Sequence, residues 1–338
     1  MKILVLGGSG HIGTRLLEMM ESISRDAVTG GSRRSAVSSS SGIAWIKLDS
    51  CNESAMKLAL QGFDAVVNCI AGDARSISQG TQVLVHAARH AGYPRIIHLS
   101  TMSVYGPVEG TVYEDAPLNP GLGWYGRAKC EAEQCIGEYV HQGGQAVILR
   151  PGCVFGPRSE LWVGRIARWL RTGRLGDLGA GGDGWSNLVH VDDVCLAVMA
   201  ALRLPIKLGE LPLFNLVAPD SPRWNTYFID LALALRLTPV KRIKRSQLQM
   251  DAWVAGPPLK LVSMMANHLR SHGMSVPEYI SPTLPKLWAQ HIRLDAIRAS
   301  QQLEIAWTPY AAALQSSAAW ASKRDIYSPQ KGQTACMR

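Results

Sequence analysis

Lys2–Leu6 (KILVL) is a compact apolar run, and Gly7-Gly8-Ser9-Gly10-His11-Ile12-Gly13 follows it directly. The next residues set Ile12, Leu16, Leu17 and Met20 at helical spacing. Strand, glycine loop and helix in that order limit the fold more than any other feature of the chain. The loop reads G-x-G-x-x-G from Gly8 and G-x-x-G-x-x-G from Gly7. Glycine serves three purposes in such a loop: a tight turn, close backbone approach to a pyrophosphate, and close packing of helix on strand. The helix N-terminus adds free N–H groups and the positive end of its dipole. Residues 7–13 are therefore the expected phosphate cradle of a dinucleotide site, against the plain alternative of a glycine-rich turn.

The alternation continues along the first half. Strands are predicted at 27–29, 43–48, 64–70, 95–99 and 145–150, with helices at 11–22, 54–61, 81–90 and 125–141. A helix at 190–202 and a strand at 213–217 follow, and no internal repeat is visible. Strands joined by helices imply right-handed crossovers and a parallel sheet covered on both faces. The expected fold class is α/β, a doubly wound parallel sheet of Rossmann type with a smaller, interleaved C-terminal substrate domain. The dinucleotide-binding domain is expected at 1–157 plus 187–217, and the substrate domain at 158–186 plus 218–322. The active site is expected at the carboxyl ends of the strands, in the cleft between the domains. Residues 323–338 read as a polar, frayed tail.

The residues after the second strand choose the cofactor. An NAD site calls for an acid there, to bond the ribose 2′-hydroxyl. The chain has Gly30-Gly31-Ser32-Arg33-Arg34, and Asp26 lies before the strand. Ser32, Arg33 and Arg34 suit a 2′-phosphate, because guanidinium forks bind phosphate oxygens in pairs. NADP(H) is therefore expected over NAD(H).

Charge and cysteines narrow the partners. Residues 1–150 carry 13 basic and 13 acidic residues, so the whole net charge of +9 lies in 151–338. An anionic small molecule fits that half better than nucleic acid, since no RNA motif, zinc finger or basic zipper accompanies the charge. Seven scattered cysteines without a C-x-x-C pair argue against a disulfide framework and for a reducing, cytoplasmic setting. No run is long and apolar enough for a membrane helix or a secretory signal. The nine histidines suggest no metal site.

Tyr125-Gly-Arg-Ala-Lys129 opens the helix at 125–141, placing tyrosine and lysine on one face. A nearby ammonium and a positive nicotinamide ring would lower the tyrosine pKa from its usual value near 10. With the glycine loop, this pair resembles the short-chain dehydrogenase/reductase superfamily, in its extended NAD-dependent epimerase/dehydratase branch. Six segments recur in family order: the loop, Asp49 after a strand, Leu99-Ser100-Thr101-Met102-Ser103-Val104-Tyr105-Gly106, Tyr125 with Lys129, Leu149–Arg158, and Val189-His190-Val191-Asp192-Asp193-Val194. The resemblance covers about residues 1–220.

It implies Tyr125 as the proton-transfer group, Thr101 as the hydroxyl that orients the substrate oxygen, and Lys129 as the partner of the ribose. It implies Asp49 for the adenine amino group and Pro151 and Gly152 beside the nicotinamide. Ser103 and Ser100 are rivals of Thr101, with Ser100 expected to point into the sheet. Tyr105 is the rival base, expected to be structural. Ser103, Trp124, Arg158 and Arg165 are the candidate substrate contacts. Two features depart from the family. Met102 and Ser103 stand where dehydratases carry Asp-Glu, and Ser186-Asn187 stand where sugar-nucleotide epimerases carry Arg-Asp. Arg165, Arg168 and Arg171 read either as an anion clamp or as a solvated helix face. The expected activity is NADP(H)-dependent interconversion of a secondary alcohol and a ketone. The alternatives are a nucleotide-sugar epimerase with retained cofactor, or a non-catalytic dinucleotide sensor. A homodimer through the helices at 81–90 and 125–141 is expected by analogy.

Overall fold

Leu4 and Leu6 alternate with Ile3 and Val5 along the first strand, and all four are buried, so both faces of that strand must be covered. The covering layers are visible in the computed structural model, which describes residues 1–33, 42–119, 121, 123–252 and 279–326. The strands are β1 (Lys2–Leu6), β2 (Ala27–Ser32), β3 (Ala44–Lys47), β4 (Ala65–Asn68), β5 (Arg95–Leu99), β6 (Gly110–Val112), β7 (Ala146–Pro151), β8 (Cys153–Phe155), β9 (Leu188–His190), β10 (Leu213–Leu216) and β11 (Ile292–Leu294). The helices used below are α1 (His11–Ile23), α2 (Glu53–Ala59), α3 (Ala74–His90), α4 (Trp124–His141), α5 (Arg165–Arg171), α6 (Val191–Ala201), α7 (Trp224–Ala234), α8 (Arg245–Met250), α9 (Thr283–Ala289), α10 (Ile297–Gln302) and α11 (Tyr310–Ile326).

Seven strands form one parallel sheet in the order β10-β7-β5-β4-β1-β2-β3. Ile3, Val5, Val67, Ile97 and Val147 face one way, onto Leu16 and Leu17 of α1 and Val194 and Val198 of α6. Leu4, Leu6, Val66, Ile96 and Ile148 face the other, onto Met56 of α2, Leu84 of α3 and Ile136 of α4. This is the doubly wound Rossmann arrangement that the βα alternation predicts.

Contacts divide the chain into two compact units. The first comprises Met1–Val154, Trp185–Ser221 and Gln290–Thr308. The second comprises Phe155–Gly184 and the described parts of Pro222–Ala289 and Pro309–Arg338. The return of 290–308 to the first unit corrects the sequence-based boundary. β11 pairs in parallel with β6, while Ala299, Leu303 and Ile305 join the core beside Phe214. Two three-residue strands carry no readable period. Residues 323–326 close α11, which removes them from the expected tail, and 327–338 lie outside the described residues.

Two other elements are longer than expected. α3 starts at Ala74, where the Asp73 carboxylate accepts from the Ser76 N–H at 2.8 Å. The polar run Arg75, Ser76, Ser78 and Gln79 hides that half of the helix. β2 continues through Gly30 and Gly31, which pair with both β1 and β3; position 30 needs glycine because a Cβ there would lie 2.7 Å from the Trp45 ring. The second unit packs around aromatic rings: Phe228 meets Trp288 at 5.3 Å and Trp224 at 5.6 Å, and Trp169 meets Trp288 at 6.2 Å.

Candidate active site

Because the strands are parallel, their carboxyl ends share one edge. That edge carries residues 7–13 after β1, Ser32 and Arg33 at the end of β2, Asp49 after β3, Asn68–Ile70 after β4, Thr101 after β5, and Pro151 and Gly152 at the end of β7.

Gly7 has φ +74°, and its carbonyl accepts from Gly10 N–H at 2.9 Å. A Cβ on Gly13 would lie 2.3 Å from that carbonyl oxygen, so α1 can sit this close only as glycine. Gly10 caps α1 without any side-chain bond, and the first turn holds no acid. The positive dipole end of α1 is therefore not offset by an acid, which fits a pyrophosphate. His11 and Ile12 are the first two helical residues. The Ser9 and Ser32 hydroxyls are 2.9 Å apart. Arg33 is exposed, with its guanidinium 4.0 Å from the Asp73 carboxylate. Arg34 lies outside the described residues. Asp49 is exposed and accepts from Cys51 N–H at 3.1 Å.

Lys129 is 1% exposed. Its ammonium donates to the Ile70 carbonyl at 3.0 Å and the Leu99 carbonyl at 2.5 Å, so it ties together the segments that leave β4 and β5. Burial lowers its pKa to about 8, against the opposing charges of Cys69 and Glu133. Burial pushes the pKa of Tyr125, one turn earlier, up to about 12, opposed by the neighbouring Thr101 side chain. The expected lowering calls on the positive nicotinamide ring together with Lys129; in the protein alone, burial sets the direction. Ser103 donates its N–H to the Thr101 hydroxyl at 3.3 Å, inside the short 3-10 turn Met102–Tyr105. Trp124 is 56% exposed and stands edge-on to Tyr125 at 5.7 Å. Arg158, at φ +67°, and Arg165, over the Trp169 ring at 5.7 Å, belong to the second unit.

A buried ionic network went unread in the sequence. Ser100 donates to Glu133 at 2.5 Å, and Arg150 grips the same carboxylate at 3.0 and 2.6 Å. Tyr105 donates to Asn215 at 2.7 Å and accepts from Arg150 at 2.9 Å. Ser100 and Tyr105 are therefore structural. The available signal was spacing: Glu133 follows Lys129 by one helical turn. Ser186 and Asn187, in place of the family's Arg-Asp, are also structural. Ser186 shares a hydroxyl contact with Ser221 at 3.1 Å, and Asn187 clamps β11 by bonds to Ile292 and Leu294 at 2.9 Å each. Gly152 closes over this strap, since a Cβ there would lie 2.1 Å from the Asn187 carbonyl oxygen.

A profile of the NAD-dependent epimerase/dehydratase family matches residues 3–216. The chain belongs to that family. It is thus a member of the extended short-chain dehydrogenase/reductase group of NAD(P)-dependent enzymes. Protein YeeZ of Escherichia coli K12 is 35% identical over 163 residues, which is 48% of this chain and 53% of YeeZ. The family member described here therefore spans about half the length of that relative. The 2-alkyl-3-oxoalkanoate reductase of Stenotrophomonas maltophilia is 29% identical over 285 residues, 72% of this chain and 85% of the reductase. Among solved structures, UDP-glucuronic acid 4-epimerase from Bacillus cereus, with UDP-glucuronic acid and NAD, superposes with TM-score 0.72 at 21% identity. That match covers 97% of this family member and 100% of the other chain. No described helix is long and apolar enough to cross a membrane, and no described group of three or more His, Cys, Asp or Glu side chains could hold a metal ion.

Proposed function

We propose that this chain is an NADP(H)-dependent oxidoreductase that interconverts a ketone and a secondary alcohol on an anionic small molecule. The observation that carries the reading is Tyr125 beside Thr101, one helical turn from the buried Lys129 ammonium. A tyrosine holds its proton near neutral pH and can donate it to a carbonyl oxygen being reduced. The nicotinamide, when bound, supplies or accepts the hydride. Thr101 orients the substrate oxygen toward Tyr125. Lys129 fixes the strand ends and presents positive charge beside the phenol. Residues 7–13 hold the pyrophosphate, Asp49 the adenine amino group, and Pro151 and Gly152 border the nicotinamide. Ser32, Arg33 and Arg34 would select the 2′-phosphate of NADP(H). Ser103 and Trp124 line the substrate side, and Arg158 and Arg165 are offered as contacts to its negative charge.

The similarity to a 2-alkyl-3-oxoalkanoate reductase, across most of that protein, supports reduction over epimerisation. Epimerisation is the second reading. It is favoured by 26% identity over 205 residues to an undecaprenol-linked N-acetylglucosamine 4-epimerase of Escherichia coli. A sensor without chemistry would have no use for Tyr125, Lys129 and Thr101 together. The test is cofactor turnover with a panel of 3-oxo acids and other anionic ketones. Steady NADPH oxidation supports the reductase. Cofactor that co-purifies and is never consumed, together with product isomers, replaces it with the epimerase.

A further inference from the structure

The exposed face of α3 carries His86 and His90, four residues apart and so one helical turn from each other. Their Nε2 atoms lie 3.4 Å apart, with ring centroids 5.1 Å apart and the rings near perpendicular. The far side of the His86 ring is also engaged, since its Nδ1 is 3.0 Å from the Glu53 carboxylate on α2. Glu53 is itself held by Lys57, whose ammonium is 2.7 Å from the same oxygen.

Two hydrogen bonds, from His90 Nε2–H to His86 Nε2 and from His86 Nδ1–H to Glu53, hold this arrangement, which also has the geometry of a metal site. Zinc–imidazole bonds of about 2.0–2.1 Å at a tetrahedral angle set two ligating nitrogens roughly 3.4 Å apart. A carboxylate on the other ring nitrogen is the usual outer partner of a metal-bound histidine. It accepts the Nδ1–H hydrogen bond and fixes that tautomer, which leaves the Nε2 lone pair of His86 facing His90. The three groups thus reproduce a carboxylate–histidine–metal arrangement with the second histidine already in place.

We propose that His86 and His90 chelate a late first-row divalent cation of zinc type, with Glu53 orienting His86. Two imidazoles select such a cation over magnesium or calcium, which prefer oxygen ligands. The described residues offer no group of three or more ligands, so water completes the coordination. This makes the site an exchangeable surface site, separate from the proposed chemistry at Tyr125. The sequence hides it because no cysteine or third histidine flanks the pair.

The test is calorimetric titration of chelator-stripped full-length protein with Zn²⁺. The wild type should bind one equivalent that both His86→Gln and His90→Gln abolish, and Glu53→Gln should weaken that binding about 10–100-fold. All three positions are exposed, so circular dichroism and Tm without metal should match the wild type. Added Zn²⁺ should raise the Tm of the wild type but not of the two histidine variants. An isotherm that survives unchanged in both histidine variants would place zinc elsewhere, for instance on thiols, and overturn the proposal. So would the absence of saturable binding by the wild type. Neither result depends on turnover, so failure here leaves the oxidoreductase reading standing.

Discussion

Tyr125 and Lys129 are one helical turn apart, and burial moves their proton affinities in opposite directions. A buried phenol resists losing its proton, and a buried ammonium resists keeping one. Tyr125→Phe retains the ring and its contact with Trp124, so folding should survive while kcat falls about 10²–10⁴-fold. KM should change less, because the hydroxyl bond is strongest in the transition state. Near-wild-type kcat in Tyr125→Phe would remove this residue from the chemistry.

Lys129 gives a stability prediction with a definite sign. Its folded pKa is about 8 against 10.5 for the free side chain. Between those values the unfolded chain holds a proton that the folded chain lacks, so folding is favoured as pH rises. The stability advantage of wild type over Lys129→Met should widen by about 3 kcal/mol from pH 8 to 10.5, read by denaturant unfolding. A flat difference would mean the folded ammonium titrates normally.

Glu133 was invisible beforehand for a general reason. A carboxylate inside a helix core breaks the apolar pattern, and only the fold supplies its partners Arg150 and Ser100. Glu133→Ala leaves the Arg150 guanidinium buried and should cost about 3–5 kcal/mol. Thr101, Tyr125 and Lys129 could be named beforehand because they sit in motifs that resemble the family's, and the roles proposed for them rest on that resemblance.

Elements were readable where period and end signals agreed. β1, the glycine loop and α1 form such a unit, and they fall at 2–6, 7–10 and 11–23. α3 and β2 were cut short because a polar run and a glycine pair imitate loop. β6 and β11 were missed because three residues carry too little pattern, and their pairing joins positions nearly 200 residues apart in sequence. Gly13→Ala tests the cradle as an element. The added methyl meets the Gly7 and Gly8 backbone, so loop and helix must separate. Dinucleotide affinity should fall at least tenfold, while Tyr125→Phe leaves it intact; equilibrium binding of NADPH to both variants reads the contrast. Arg33→Ala acts at the other end of the cofactor. It should weaken NADPH by about 1.5–3 kcal/mol through loss of a charge-assisted contact, and leave NADH nearly unchanged. Equal wild-type affinity for the two cofactors would end the 2′-phosphate assignment.

The charge of the whole molecule is lopsided, with net zero in 1–150 and +9 beyond. In the second unit several arginines already face acids: Arg168 pairs with Glu160, Arg174 with Asp251, Arg223 with Asp183 and Arg242 with Asp177. Such pairs reduce the field each guanidinium projects, so an anion-attracting surface must draw on the excess over these acids. Arg165 lies over the Trp169 ring at 5.7 Å. An anionic substrate drawn by this excess should bind less well as salt rises. Exposed charges are screened beyond about 8 Å at physiological ionic strength, so KM should climb between 20 and 300 mM salt (on the order of severalfold) while kcat holds. Arg165→Gln, which removes a proposed substrate contact, should flatten that climb, whereas Arg168→Gln, at a residue paired with Glu160 and not proposed to touch substrate, should alter it less. A KM independent of salt in the wild type would make the substrate neutral and the arginine face merely solvated. That outcome would leave the Tyr125 chemistry intact and redirect the substrate search from oxo acids to neutral ketones.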